Sequence, residues 1–182
     1  MQRLAMFRPA TVCFILSLLG AGATPGGDDY PTLLRRAREM DPSLDFAALR
    51  LAYSASPGYA PYEPSSHAHR LRTVRDALNE EKFGEAVEPC EASVGEYFFD
   101  PKMHVLCSYA NSRAGNDGAS AMHEFAADGL LASVRSSGDG RSPETAYEVV
   151  TIAEEYALLW VDGQLLMEQG LMRHEGHSYD RM

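Results

Sequence analysis

Apolar residues recur at helical spacing through most of the chain. Leu33, Leu34, Ala37 and Met40 share one face of a helix that has Pro31 in its first turn, and Asp41-Pro42 stops it. Asp45 reads as the N-cap of a second helix. Leu44 and Leu49 flank it as a hydrophobic staple, and Phe46, Leu49 and Tyr53 continue its inner face. Pro57, Pro61 and Pro64, each incompatible with a helix interior, then predict a loop between Ser54 and Ser66 that carries Tyr59 and Tyr62. From His69 to Val134 four further helices follow. Their apolar stripes are Leu71, Val74, Leu78; Phe83, Ala86, Val87, Cys90, Val94; Met103, Leu106, Cys107, Ala110; and Met122, Phe125, Ala126, Leu130. Pro89 predicts a kink or a late start in the second of these.

After Ser137-Gly138-Asp139-Gly140 the period changes. Tyr147, Val149 and Thr151 alternate with their neighbours as in a strand. Residues 154–160 are good helix formers and predict a short helix crossing a sheet. Gly163 and Gly170 punctuate two short apolar stretches, 164–167 and 171–172, which complete a small antiparallel sheet.

The N-terminus has a different character. Residues 1–9 carry Arg3 and Arg8 and no acid, residues 10–20 are almost unbroken apolar, and Ala21-Gly22-Ala23 has the small-x-small pattern of a signal peptidase site, so cleavage after Ala23 is expected. The run is shorter than the roughly 20 residues a membrane-spanning helix needs, and Cys13 lies inside it rather than just after it, which argues against a stable membrane or lipid anchor. Loss of Arg3 and Arg8 takes the Lys and Arg count from 16 to 14 against 26 acids, and the net charge from −10 to −12. So acidic a chain repels phosphate backbones, which excludes nucleic acid as a partner. Only Cys90 and Cys107 remain, and in an oxidising compartment they are expected to form one disulfide; the alternative is two separate buried thiols.

Two resemblances bear on the whole. Glu81-Lys82-Phe83-Gly84-Glu85-Ala86-Val87 resembles the turn between paired helices of a tetratricopeptide repeat, and Asp100-Pro101 the end of one; Glu81 stands where such a turn has glycine. That mapping puts Cys90 and Cys107 on adjacent helices. The stretch Ser137-Gly-Asp-Gly-Arg-Ser-Pro-Glu-Thr-Ala-Tyr147 with Glu154-Glu155-Tyr156 resembles an exported bacterial family, the domain of unknown function 4919. Leu51-Ala-Tyr-Ser-Ala-Ser-Pro-Gly-Tyr-Ala-Pro-Tyr62, Gln164 and Gly176-His-Ser-Tyr-Asp180 carry the same likeness. It implies export and the extent of the domain, and assigns no catalytic residue.

Several chemical readings compete with plainer ones. Gly138-Asp139-Gly140 follows a helix and precedes a strand, the reverse of a phosphate loop, and lacks the carboxylates of a calcium loop; it reads as a tight turn with left-handed glycines. His177, Ser178 and Asp180 are near neighbours on one extended segment, whose side chains alternate between faces, and cannot form a triad together. Three loose histidine pairs, His67/His69, His174/His177 and His104/His123, are a weak zinc signal, of which His104, His123 and Glu124 form the best set. Glu154 and Glu155 diverge from one backbone and read as helix-opening charge.

The expected protein therefore has a signal peptide, 1–23, and one α+β domain, 24–182. A tetratricopeptide-like antiparallel helical bundle (29–136) is followed by a small closing part with a C-terminal antiparallel sheet (137–182). It is read as an exported, periplasmic or secreted module of the cell envelope that binds a protein or peptide without a cofactor, with Tyr59, Tyr62, Tyr97 and Tyr109 as candidate contacts. A metal-dependent or hydrolytic enzyme and a ligand-free structural envelope protein are the alternatives.

Overall fold

Aspartates start three helices in one way. Asp29 accepts from the Thr32 amide, Asp45 from those of Ala47 and Ala48, and Asp100 from those of Lys102 and Met103, which satisfies amides that have no intrahelical partner. A computed structural model describes residues 12–16, 28–166 and 168–182. Within them lie α1 (Tyr30–Arg38), α2 (Phe46–Ser54), α3 (Ser65–Asn79), α4 (Phe83–Glu96), α5 (Pro101–Ala114), α6 (Asp117–Ser136) and α7 (Ile152–Val161).

Helices α3 to α6 pack each against the next, and α2 lies on α6. Their common core holds Leu49, Val74, Cys90, Phe99, Met103, Cys107 and Leu130, all buried. Gly129 brings α6 against α2: a Cβ there would lie 2.1 Å from the Phe46 ring. Pro89 does not delay α4, which starts at Phe83 and runs through it. Cys90 of α4 and Cys107 of α5 form a disulfide with Cα atoms 5.5 Å apart, as their adjacent helices imply. Glu81, between α3 and α4, has φ 56°, the left-handed conformation that makes glycine the usual residue there.

The four strands β1 (Cys13–Leu16), β2 (Tyr147–Val149), β3 (Gly170–His174) and β4 (His177–Arg181) lie in the order β2-β1-β4-β3. The sheet is mixed rather than antiparallel throughout. β2 runs parallel to β1, whereas β4 is antiparallel to both β1 and β3. Three local expectations also change. The strand expected through Thr151 stops at Val149, because the Thr151 side chain caps α7. Residues 164–166 form no strand, and the hairpin comes entirely from residues after 169. The left-handed glycine of the turn at 138–140 is Gly140 alone, with φ 68°.

The least expected strand is β1. It uses part of the apolar run read as the core of a signal peptide, and Phe14 is fully buried against α6, α7 and β2. Arg3, Arg8 and the cleavage site at residues 21–23 lie outside the described residues.

Candidate functional site

Three chains of polar side chains run through the interior, each joining elements far apart in sequence. In the first, the Ser93 hydroxyl of α4 donates to Nδ1 of His67 in α3 at 2.7 Å. The Nε2–H of that ring donates to Oδ2 of Asp100 at 2.9 Å. This is a serine, a histidine and an aspartate in hydrogen-bonded sequence, although the histidine presents the opposite ring nitrogens from those of a serine-hydrolase triad. Ser93 and His67 are fully buried and Asp100 nearly so, which leaves the hydroxyl no route to a substrate. Asp100 spends its other oxygen capping α5. Glu63 approaches His67 Nε2 to 3.9 Å from the surface, and Glu63, His67 and Asp100 are the described residues whose ligand atoms converge closely enough to hold a metal ion.

In the second chain, His104 Nε2–H donates to the Phe98 carbonyl at 2.9 Å, and His104 Nδ1 lies 3.1 Å from Nδ1 of His123. Burial and then the neighbouring His123 push the His104 pKa down to about 3, so its ring is neutral and its Nδ1 accepts. His123 therefore donates from Nδ1, and its Nε2 meets the Glu91 carboxylate at 3.0 Å. The set His104, His123 and Glu124 expected from sequence is corrected here: the two histidines do meet, but Glu124 points to solvent and Glu91 of α4 takes its place. With the facing Nδ1 atoms committed to each other, the pair is a hydrogen-bonded bracket rather than a preformed metal site.

The third chain centres on Arg50 of α2. Its Nε and one terminal nitrogen bind the two oxygens of Glu154 at 2.8 and 3.0 Å, and its other nitrogen binds the Ser133 hydroxyl at 3.0 Å. Glu154 also accepts from the Val150 amide at 2.8 Å. This bracket ties the helical part to β2 and α7, so Glu154 is a buried ion-pair partner rather than simple helix-opening charge. Glu155 beside it is fully buried with neither oxygen hydrogen-bonded. Burial, then the charges of Asp180 and Glu154, raise its pKa to about 8.

The four candidate tyrosines do not share one surface. Tyr59 donates to the Val150 carbonyl at 2.9 Å and sets its ring edge-on to Tyr53, sealing a cluster that includes Tyr30 and Phe99. Tyr62, two residues after Ala60 on the same loop, is 70% exposed. Tyr97 is buried edge-on against His67, and Tyr109 stands half-exposed against Phe83 and near Arg113. The Tyr59–Tyr62 loop and the Gly138–Gly140 turn sit at opposite ends of β2. Pro61 accepts from the Ile152 amide at 2.9 Å, whereas Gly140 donates to the Thr145 carbonyl at 2.8 Å.

The exposed features lie elsewhere. A shallow hollow of about 380 Å³ is lined by Arg75, Leu78, Asn79, Lys102, Leu106 and Trp160, with the Lys102 ammonium 5.4 Å from the Trp160 ring centre. From Tyr156 to Leu171, six large apolar side chains (Tyr156, Trp160, Val161, Leu165, Leu166 and Leu171) are exposed. Trp160 and the apolar residues after it were legible as apolar in sequence; that they face outward was not.

The family profile described as a domain of unknown function (DUF4919) matches residues 27–175. The chain belongs to that family. No curated protein and no solved structure matches it. The DUF4919 match takes in all seven helices, β2 and β3 and stops one residue short of the turn glycine Gly176. It begins after β1.

Proposed function

We propose that this DUF4919 protein is an exported interaction module of the cell envelope, with a protein or peptide as its partner. The observation that carries this reading is the run of six exposed apolar side chains between Tyr156 and Leu171, beside the Trp160 hollow. Scattered apolar residues are ordinary on protein surfaces, but a concentrated succession marks contact with another macromolecule. Arg75 and Lys102 in the hollow add local positive charge to an acidic chain and favour a partner segment that offers a carboxylate next to its apolar residues. The N-terminal charge and hydropathy pattern and the buried disulfide support export. The α3–α6 succession suits a tetratricopeptide-like scaffold, whose role is to present such a surface.

In-cell crosslinking tests the reading. A photoreactive residue at Leu165 should give a discrete protein adduct in the envelope fraction, and Trp160→Glu should remove it. Adducts that survive Trp160→Glu unchanged, or a protein found only in the cytoplasm, would overturn it.

A hydrolytic reading draws on one observation, the Ser93–His67–Asp100 chain. Its buried hydroxyl and reversed ring favour a structural role, in which Ser93→Ala lowers stability by about 1–3 kcal/mol by stranding His67 Nδ1. Esterase activity lost in a Ser93→Ala protein that remains folded would reverse that preference. Stoichiometric zinc in natively purified protein would instead favour a metal enzyme at Glu63, His67 and Asp100.

A further inference from the structure

We infer that removal of the leader opens a strand-wide slot between β2 and β4, and that this slot binds an extended apolar peptide. The inference rests on the export reading, because cleavage after Ala23 takes β1 away with the rest of residues 1–23.

Within the sheet, β1 alone joins β2 to the β3–β4 hairpin. Its backbone is bound on both sides. Phe14 to Leu16 pair with Tyr147 to Val149, and Cys13 to Ile15 pair with Arg181 to Tyr179. At the start of the strand, Val12 exchanges two hydrogen bonds of 2.9 Å with Met182, and the Cys13 amide donates to the Gly140 carbonyl at 2.7 Å. Without β1 these partners lose their bonds, and an extended chain entering between Tyr147–Val149 and Tyr179–Arg181 restores them and rejoins the hairpin to β2. Unpaired edges of that kind recruit another extended chain.

The seat has apolar neighbours on both faces. On one, Phe14 packs with Leu131, Val134, Val149 and Leu158, its ring centre 5.7 Å from that of Tyr147. On the other, Cys13 packs with Ala146 and Tyr179. The walls come from the Gly138–Tyr147 stretch and from the segment 176–180, two of the stretches singled out in the sequence, which otherwise have no shared role. The mature chain cannot refill the slot with its own new N-terminus, because Thr24-Pro-Gly-Gly-Asp-Asp29 has no large apolar residue and its proline lacks an amide hydrogen. Asp180 stands directly opposite Phe14 and so faces the same side of the sheet.

The test uses protein expressed from the full coding sequence and purified after export. Intact mass reads its N-terminus, and calorimetry titrates it with the capped peptide of residues 11–17 carrying Cys13→Ala. The expected result is a chain lacking residues 12–16 that binds one peptide saturably. Added Phe14→Asp in the peptide should weaken binding by about tenfold or more, the worth of a buried phenyl ring. Amides of 147–149 and 178–181 should gain hydrogen-exchange protection only with the first peptide. A processed, cooperatively folding protein that binds neither peptide, or both equally, overturns the slot and leaves export standing. Self-association that excludes the peptide assigns the slot to a second copy and overturns it likewise. An exported chain that retains residues 12–16 overturns the leader reading itself and makes β1 a permanent strand.

Discussion

Arg50 of α2 and Glu154 of α7 meet as a two-pronged ion pair, 104 positions apart in sequence and almost wholly out of solvent. Neither charge has another of opposite sign among its hydrogen-bond partners. Each is completed by neutral groups: the Ser133 hydroxyl and the Glu148 carbonyl for Arg50, the Val150 amide for Glu154. Arg50→Ala should therefore cost about 3–5 kcal/mol, because it leaves the carboxylate buried and alone. The paired change Arg50→Met with Glu154→Met should cost less than either single change. Urea unfolding of the double variant and of its two single variants checks this, and a double loss equal to the sum of the single ones would show that the pair does not act as a unit.

Glu155 gives stability a pH dependence whose sign can be worked out. Its folded pKa of about 8 lies above the ordinary carboxylate value of 4.5, so the folded state holds a proton that the unfolded chain has lost. Its contribution is fully present below about pH 4.5 and declines as pH rises towards 8, by at most about 1.4 kcal/mol per unit. Glu155→Gln removes the titration. Relative to the variant, the natural protein should lose stability from pH 5 to pH 8, as read by the urea midpoint; parallel curves would place Glu155 in water.

The Cys90–Cys107 disulfide closes a separation of 17 residues between two helices that already pack closely. Replacing both cysteines with alanine should destabilise the fold by about 3 kcal/mol through the entropy returned to the unfolded chain. Thermal unfolding with and without reductant measures it. Reductant should lower the midpoint of the natural protein and leave that of the double variant unchanged.

Glu81 occupies a left-handed turn that glycine enters without steric cost, and its side chain makes no described ion pair or hydrogen bond. Glu81→Gly should stabilise the protein by about 0.5–1 kcal/mol, relief of backbone strain exceeding the entropy that glycine adds to the unfolded state. Chemical denaturation decides between this and the loss expected of glycine in an unstrained turn.

The residues that could be read from sequence were those governed by local rules. The aspartate cap at 45, the apolar stripes of α3 to α6, the proline-bounded loop and the change of period after Gly140 all depend on neighbours within a turn or two. The cysteine pair was accessible for the same reason, once its two helices were known to be adjacent. The candidate site was far less legible. Histidine spacing brought His104 to His123 but picked the wrong carboxylate, since Glu124, about 100° further round the helix, is exposed to solvent, whereas Glu91 arrives from another helix.

By itself, the sequence determined the helices, the Asp45 cap, the α+β class, the DUF4919 family and the charge of the chain. These follow from periodicity, propensity and local hydrogen bonding, which act over a few residues. Only the tertiary structure decided that Ser93, His67 and Asp100 form a buried chain, that Arg50 meets Glu154, and that residues 12–16 lie between β2 and β4. Side chains dozens of positions apart meet only when helix faces and sheet register are settled together, and a strand's neighbours are chosen by the edges the rest of the chain leaves open.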